Sequence, residues 1–208
     1  GLAAVLVFVL VLGMTGMSGN VKAADQTDLK TIDIMFVHDT HSHLNSFSTV
    51  VDEKQEMIGG FARIKTLIDE QKEKDADTLV VDGGDFSMGT LVQTVFETQA
   101  AEIRMLGALG CEATTLGNHE FDYDMDRFLT LNDKLSCGYY SSNLVNTITG
   151  KNLLPAYKIF QFDDKKIALI GVTTPETLNS STPAYFQDDK GNFIYSFTED
   201  ATGKQLYT

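Results

Sequence analysis

The spacing of apolar and polar positions predicts an alternation of strands and helices. Residues 32–37, 78–81 and 113–116 form short apolar runs of the kind found in buried strands. Residues 59–74 and 91–109 instead place apolar side chains at helical spacing, with charged residues between them in the first of the two segments. Strand, helix, strand, helix, strand is the order of βαβ units, so we expect an α/β fold built on a mainly parallel sheet.

The pattern continues beyond the third strand with shorter elements. We expect a helix over residues 124–135, a strand over residues 139–144, and a β-hairpin formed by residues 156–162 and 166–172. Beyond residue 176 the chain becomes rich in Ser, Thr, Asp and Gly, and the pattern predicts no core element there. We find no internal repeat.

Composition is that of a globular protein and limits the class of partner. The 208 residues are 43% hydrophobic and 22% charged, which is enough to bury the core of one domain, or of most of one. The formal net charge is −13, and such a surface repels polyanions. A protein that binds nucleic acid polymers is therefore not expected.

The first 23 residues have the features of a secretory signal peptide. An uncharged apolar stretch over residues 1–13 is followed by small and polar residues, with Val21 and Ala23 at the −3 and −1 positions of a cleavage site. We expect a secreted protein, extracellular, cell-surface or periplasmic, with no membrane span after cleavage. The alternative is an uncleaved anchor, although thirteen apolar residues are fewer than the ~20 that a spanning helix needs.

Two cysteines, Cys111 and Cys137, each lie in an apolar stretch. Outside the cytoplasm they could form one disulfide, but buried free thiols are equally compatible with this sequence context.

Potential metal ligands follow each of the three predicted parallel strands. Asp39 and His41 follow the first strand, and because they are two residues apart, an extended backbone would place both on one side. Asp85 follows the second strand after Gly84, and a carboxylate has two oxygens that can bridge two cations. Ligands gather at the carboxyl ends of strands in open α/β sheets, so we expect these groups to converge.

The third strand is followed by an amide and an imidazole. Asn118 offers a neutral oxygen to a divalent metal, and Asp122 is spaced to hydrogen-bond His119, which would fix the imidazole tautomer. Taken singly, each group also fits an ordinary turn or helix cap. We expect His38 and His43 not to be ligands, since His38 is one residue out of phase with Asp39.

These segments together resemble the calcineurin-like metallophosphoesterase superfamily, in which Asp-x-His, Gly-Asp and Gly-Asn-His-Glu occur in this order. Residues 38–44, 60–63 and 116–122 more narrowly resemble the bacterial secreted 5′-nucleotidase and 2′,3′-cyclic phosphodiesterase branch. The likeness extends over about residues 32–178.

The resemblance implies a layered α/β/β/α sandwich that is incomplete at its C-terminus, with residues 24–208 as the N-terminal portion of a catalytic domain. It implies cleavage of nucleotide phosphate esters by a hydroxide that bridges two divalent ions, with Zn, Mn, Fe, Co and Mg all possible. The implied roles are first-metal ligation by Asp39, His41 and Asp85, bridging by Asp85, second-metal ligation by Asn118, and transition-state stabilisation by His119 paired with Asp122.

The chain also departs from the family pattern. All four of its histidines lie at or before position 119, whereas the family supplies further metal ligands from later Gly-His motifs. We therefore expect the 208-residue chain to be a fragment that is weakly active or inactive. Two alternatives stay open: a non-catalytic cell-surface binding module, and a hydrolase of other phosphate or sulfur esters. The sequence does not indicate an oligomeric state.

Overall fold

The computed structural model describes residues 31–198, and the predicted signal peptide over residues 1–23 lies outside them. The strands are β1 (Ile34–Val37), β2 (Phe47–Val51), β3 (Lys54–Ile58), β4 (Leu79–Asp82), β5 (Ala113–Thr114), β6 (Leu144–Asn146), β7 (Lys151–Asn152), β8 (Tyr157–Phe162), β9 (Lys165–Ile170) and β10 (Tyr195–Phe197). The α-helices are α1 (Phe61–Lys74), α2 (Phe96–Gln99), α3 (Ala101–Leu109), α4 (Met125–Asn132) and α5 (Thr177–Ser180), and 3₁₀ turns span Leu91–Val95, His119–Phe121 and Pro183–Phe186.

A parallel sheet in the order β1-β4-β5 forms the centre of the described residues. Helix α1 connects β1 to β4 and α3 precedes β5, so the predicted βαβ units and the α/β class are confirmed. Each face of the sheet is covered differently. Val80 packs with the helices, whereas Leu79 packs with Phe160 and Phe162 of the β8–β9 hairpin. The layers are thus helix, sheet and hairpin.

The helix predicted over residues 91–109 is not continuous. The structure has a 3₁₀ turn, the short α2, and then α3, with the break at Ala100, which adopts left-handed backbone angles (φ 49°, ψ 45°). The segment before the break is rich in β-branched residues, which lose side-chain freedom in a helix. Helix α1 agrees better with its prediction and begins at Phe61, directly after Gly60 at φ 89°.

The strand predicted over residues 139–144 is wrong. Tyr139 makes only an isolated bridge to Thr114, and the next strand, β6, begins at Leu144. The intervening polar side chains bond to the backbone instead: Ser141 Oγ accepts from the Leu144 amide, and Asn143 Nδ2 donates to the Thr173 carbonyl. Such side-chain bonds compete with a strand ladder.

Besides the two-residue strand β7, two regions of regular structure were not predicted. One is the β2–β3 hairpin, which precedes α1. The other is the segment after residue 176, where Phe186 and Phe197 are fully buried and pack against Phe121 with ring centroids 5.0 and 5.9 Å apart. This aromatic cluster lies under the 3₁₀ turn that carries His119. The predicted hairpin of β8 and β9 is confirmed.

Cys111 and Cys137 are both buried and free, so the disulfide alternative is not realised in this structure.

The first strand was expected to be buried on both faces, but Ile34 and Phe36 are 43% and 42% exposed. Ile34 pairs with Leu79, whose face the β8–β9 hairpin covers, and no described residue extends that cover fully across β1. Within residues 31–198, no helix has both the length and the apolar character needed to cross a bilayer.

Candidate metal centre

The loop after β1 runs alongside the loop after β4 and extends their pairing. The amide of Asp39 donates to the Gly84 carbonyl over 3.1 Å, and the amide of His41 donates to the Asp85 carbonyl over 3.1 Å. Both loops use left-handed backbone angles, with φ of 48° at Asp39, 42° at His41 and 51° at Asp85. The extended backbone that we predicted for Asp39 and His41 is therefore wrong, although the two side chains do come together.

The carboxylates of Asp39 and Asp85 and the imidazole of His41 form one cluster. Each offers a donor atom, and these atoms all lie within 4.8 Å of one another. The distance from His41 Nε2 to Asp39 Oδ1 is 3.7 Å. Two carboxylates and one imidazole are suitable ligands for a divalent transition metal, so the donor set fits such an ion.

Backbone carbonyls orient the His41 ring. Its Nδ1 lies 3.2 Å from the Ser87 carbonyl and 3.1 Å from the Met88 carbonyl. Carbonyl oxygens only accept, so Nδ1 carries the proton and Nε2 presents its lone pair to the cluster. A backbone partner of this kind is the usual means of fixing a metal-binding imidazole.

Asp85 is held in a tight backbone cradle. Its Oδ1 accepts a hydrogen bond of 2.8 Å from the amide of His119. A Cβ added to Gly117 would lie 2.2 Å from the Asp85 Cγ, and one added to Gly84 would lie 2.4 Å from the Gly117 nitrogen. Only glycines allow the two loops to approach this closely. Burial raises the pKa of Asp85, and the hydrogen bond from His119 partly opposes that change.

His119 and Asp122 form the pair that their spacing predicts. His119 Nδ1 lies 2.5 Å from Asp122 Oδ2, and the His119 ring meets the His41 ring edge to face with centroids 5.1 Å apart. The His119 imidazole therefore adjoins the cluster. Asn118 lies on the same turn, between Gly117 and His119, whose backbones contact Asp85. Its role as a ligand stays a prediction.

The remaining histidines lie at the margin of the cluster. His38 Nδ1 is 2.5 Å from Asp39 Oδ2, a contact that reasoning from an extended strand missed. His43 is exposed, and its Nδ1 lies 3.2 Å from the Thr40 carbonyl. The prediction that neither residue binds metal stays a prediction.

Two buried acids beneath the cluster were not anticipated. Asp82 Oδ2 accepts from the Gly84 amide (2.9 Å) and the Thr114 hydroxyl (2.5 Å), and burial raises the pKa of Asp82 to about 7. Glu120 Oε2 accepts from the Gly117 amide over 2.6 Å, and burial raises the pKa of Glu120 well above its usual value. Both carboxyls brace the turns that carry the candidate ligands. Both acids belong to the ligand-bearing segments, Asp82 two residues before Gly84 and Glu120 three residues after Gly117, and this position was the available signal.

Comparison with known proteins gives consistent matches. The sequence model of a family described as calcineurin-like phosphoesterase matches residues 32–194. An NAD 5′-nucleotidase from Haemophilus influenzae is 36% identical over 150 residues, which are 70% of this chain and 24% of that protein. A 5′-nucleotidase from Vibrio parahaemolyticus is 31% identical over 140 residues, covering 63% of this chain and 25% of that protein.

The fold also matches that of a solved structure. NAD nucleotidase (NadN) from Haemophilus influenzae superposes with a TM-score of 0.67 at 29% identity, over 82% of this chain and 30% of that one. The chain thus spans about a quarter of the length of the curated relatives that it matches.

Proposed function

The chain belongs to the calcineurin-like phosphoesterase family, and from this premise we propose that it supplies the N-terminal part of the catalytic domain of a secreted enzyme that hydrolyses phosphate esters of nucleotides. The observation that carries the proposal is the convergence of Asp39, His41 and Asp85 within 4.8 Å. Two relatives are named for 5′-nucleotidase activity, which is the reason to propose a nucleotide substrate.

The residues divide into metal holders and phosphate binders. Asp39, His41 and Asp85 would hold a first divalent ion, and Asp85 and Asn118 would supply ligands to a second. A pair of such ions, when bound, supplies a water of lowered pKa and neutralises charge on the phosphate oxygens. Oxygen and imidazole donors suit Zn, Mn, Fe, Co and Mg, so the metal stays open.

His119 acts on the phosphate group. Its Nδ1 is engaged by Asp122, and we assign its Nε2 to a hydrogen bond with a phosphate oxygen or the leaving oxygen. The contact with Asp122 orients the ring, and a hydrogen bond to an oxygen that becomes negatively charged is the kind of interaction that stabilises a transition state. His119 is therefore the proposed catalytic residue, and Asp122 positions it.

The test measures AMP binding and phosphate release on the same samples, with and without Mn²⁺. We expect AMP binding that requires Mn²⁺ and slow phosphate release, with both reduced at least ~10-fold by His119→Ala. His43→Ala is the matched control, because it removes an exposed imidazole from the same region and should change neither quantity.

Two outcomes would contradict the proposal. AMP binding that is absent, or indifferent to Mn²⁺, would remove the assignment to nucleotides. If AMP binding depends on Mn²⁺ and is unchanged in His119→Ala, and no phosphate is released, the non-catalytic binding module would be favoured instead.

A further inference from the structure

We infer that Glu102, acting through Ser42, is a positioning residue for the metal-binding loop; this inference rests on the proposed function of that loop. Glu102 lies in the first turn of α3, 17 residues after Asp85 in the sequence and outside the three ligand segments. Ser42 directly follows the candidate ligand His41.

A buried hydrogen bond joins the two residues. Ser42 Oγ donates to Glu102 Oε1 over 2.6 Å, and both side chains are 0% exposed. Hydrogen bonds to carboxyl groups in such surroundings are strong and directional, because no solvent competes for the donor. Helix α3 therefore holds the loop at the residue next to a proposed ligand.

The loop needs this hydrogen bond because the backbone around Ser42 is strained. Asp39, His41 and Ser42 all have positive φ values, of 48°, 42° and 56°. Positive φ is uncommon for residues other than glycine, and contacts with the surrounding structure hold such residues in place. Three elements fix Ser42: its amide donates a hydrogen bond to the Phe86 carbonyl (2.9 Å), its carbonyl accepts one from the Thr90 hydroxyl (2.7 Å), and its hydroxyl donates to Glu102.

Glu102 has no other assigned task among the described residues. Its second oxygen, Oε2, is buried and has no hydrogen-bond partner within residues 31–198. A buried carboxyl with one unsatisfied oxygen costs stability, and such a cost is commonly tolerated where a group serves a site. Glutamine in its place would keep an oxygen for Ser42 to donate to, whereas leucine would not.

The test titrates Co²⁺ into the 208-residue chain and follows the visible absorption of the bound ion. Ser42→Ala and Glu102→Leu should each weaken Co²⁺ binding about 10-fold or more, the range typical of residues that orient ligands. Glu102→Gln should restore binding to near that of the unsubstituted chain. The double variant should be no weaker than the weaker single variant, because both changes remove the same bond.

Ser141→Ala is the control for a general loss of stability. Ser141 is also 0% exposed and makes buried hydrogen bonds, but with Asn143 and Leu144. The Ser141→Ala substitution should leave the Co²⁺ affinity unchanged, even if it lowers the midpoint of thermal unfolding as much as Ser42→Ala does. If Ser42→Ala and Ser141→Ala bind Co²⁺ equally well, or if the Ser42 and Glu102 effects simply add, the inference is wrong.

Failure of the proposed function gives a different result. In that case the unsubstituted chain would not bind Co²⁺, or would bind it just as well after Asp85→Asn, and the inference about Glu102 would fall with it. Binding that Asp85→Asn abolishes but Ser42→Ala leaves intact would overturn only the inference.

Discussion

At the scale of single residues, hydrogen bonds between two loops set the backbone angles of the candidate ligands. Asp39 and His41 were expected on an extended strand and instead adopt left-handed angles. Spacing along a sequence cannot reveal this, because the angles are imposed by hydrogen bonds to Gly84 and Asp85, which lie more than 40 residues away. The pairing of His119 with Asp122 was predictable because it is local.

Gly117 offers a test of the cradle around Asp85. Gly117→Ala would place a methyl group 2.2 Å from the Asp85 carboxyl carbon, so the carboxylate must move. We expect the affinity for Mn²⁺, measured by calorimetry, to fall at least ~10-fold, the effect typical of disturbing the groups that orient a ligand. Gly107→Ala is the control, since its methyl meets only the flexible Ser136 side chain. Equal Mn²⁺ affinity in both variants would contradict this account of the cradle.

Asp82 predicts a pH dependence of stability in the metal-free chain. Burial raises its pKa from 3.8 to about 7 in the folded state, so the folded state keeps a proton that the unfolded state has released between those values. The free energy of unfolding therefore falls as pH rises from about 4 to 7, by up to about 1.4 kcal/mol per pH unit from this group.

Urea unfolding of the metal-free chain at pH 5 and pH 7 measures this effect. Asp82→Asn should make the difference in unfolding free energy between the two pH values smaller, and Asp69→Asn, at an exposed position on α1, should not. An unchanged pH dependence in the Asp82 variant would show that this carboxyl does not hold its proton in the folded state.

At the scale of elements, the pattern of apolar residues predicted the periodic helices and strands and missed the irregular segments between them. Helix α1 and the β8–β9 hairpin follow their periodicities closely. The segment after residue 176 has no periodicity, yet it contributes Phe186 and Phe197 to the core, because the 3₁₀ turn and the strand that carry them are too short for a repeating pattern. The break at Ala100 was also missed, although it sets the start of α3 and so the place of Glu102.

Phe186 tests whether this segment is integral to the fold. It is fully buried against Phe121, so Phe186→Ala should lower the free energy of unfolding by about 3–5 kcal/mol, measured by urea denaturation. Phe193→Ala, at a position that is 43% exposed, should cost far less. Similar losses in the two variants would mean that the segment does not pack as described.

At the scale of the whole molecule, the α/β class and the parallel direction of β1, β4 and β5 followed from the sequence, whereas their order in the sheet came from the structure. The degree of burial of β1 did not follow from the sequence. Apolar residues on both faces of a strand show that both faces can pack, but they do not show that residues 31–198 cover both faces. The three-layer arrangement nevertheless brings the ends of the parallel strands, and with them the ligand segments, to one edge of the sheet.

The central claim is that residues from separate strand ends share a divalent ion. Anomalous diffraction from crystals of the chain grown with Mn²⁺ tests it most directly. We predict an anomalous peak within coordination reach of the Asp39 carboxylate, His41 Nε2 and the Asp85 carboxylate together. A fully occupied Mn²⁺ site elsewhere, with these three groups left unliganded, would contradict the account.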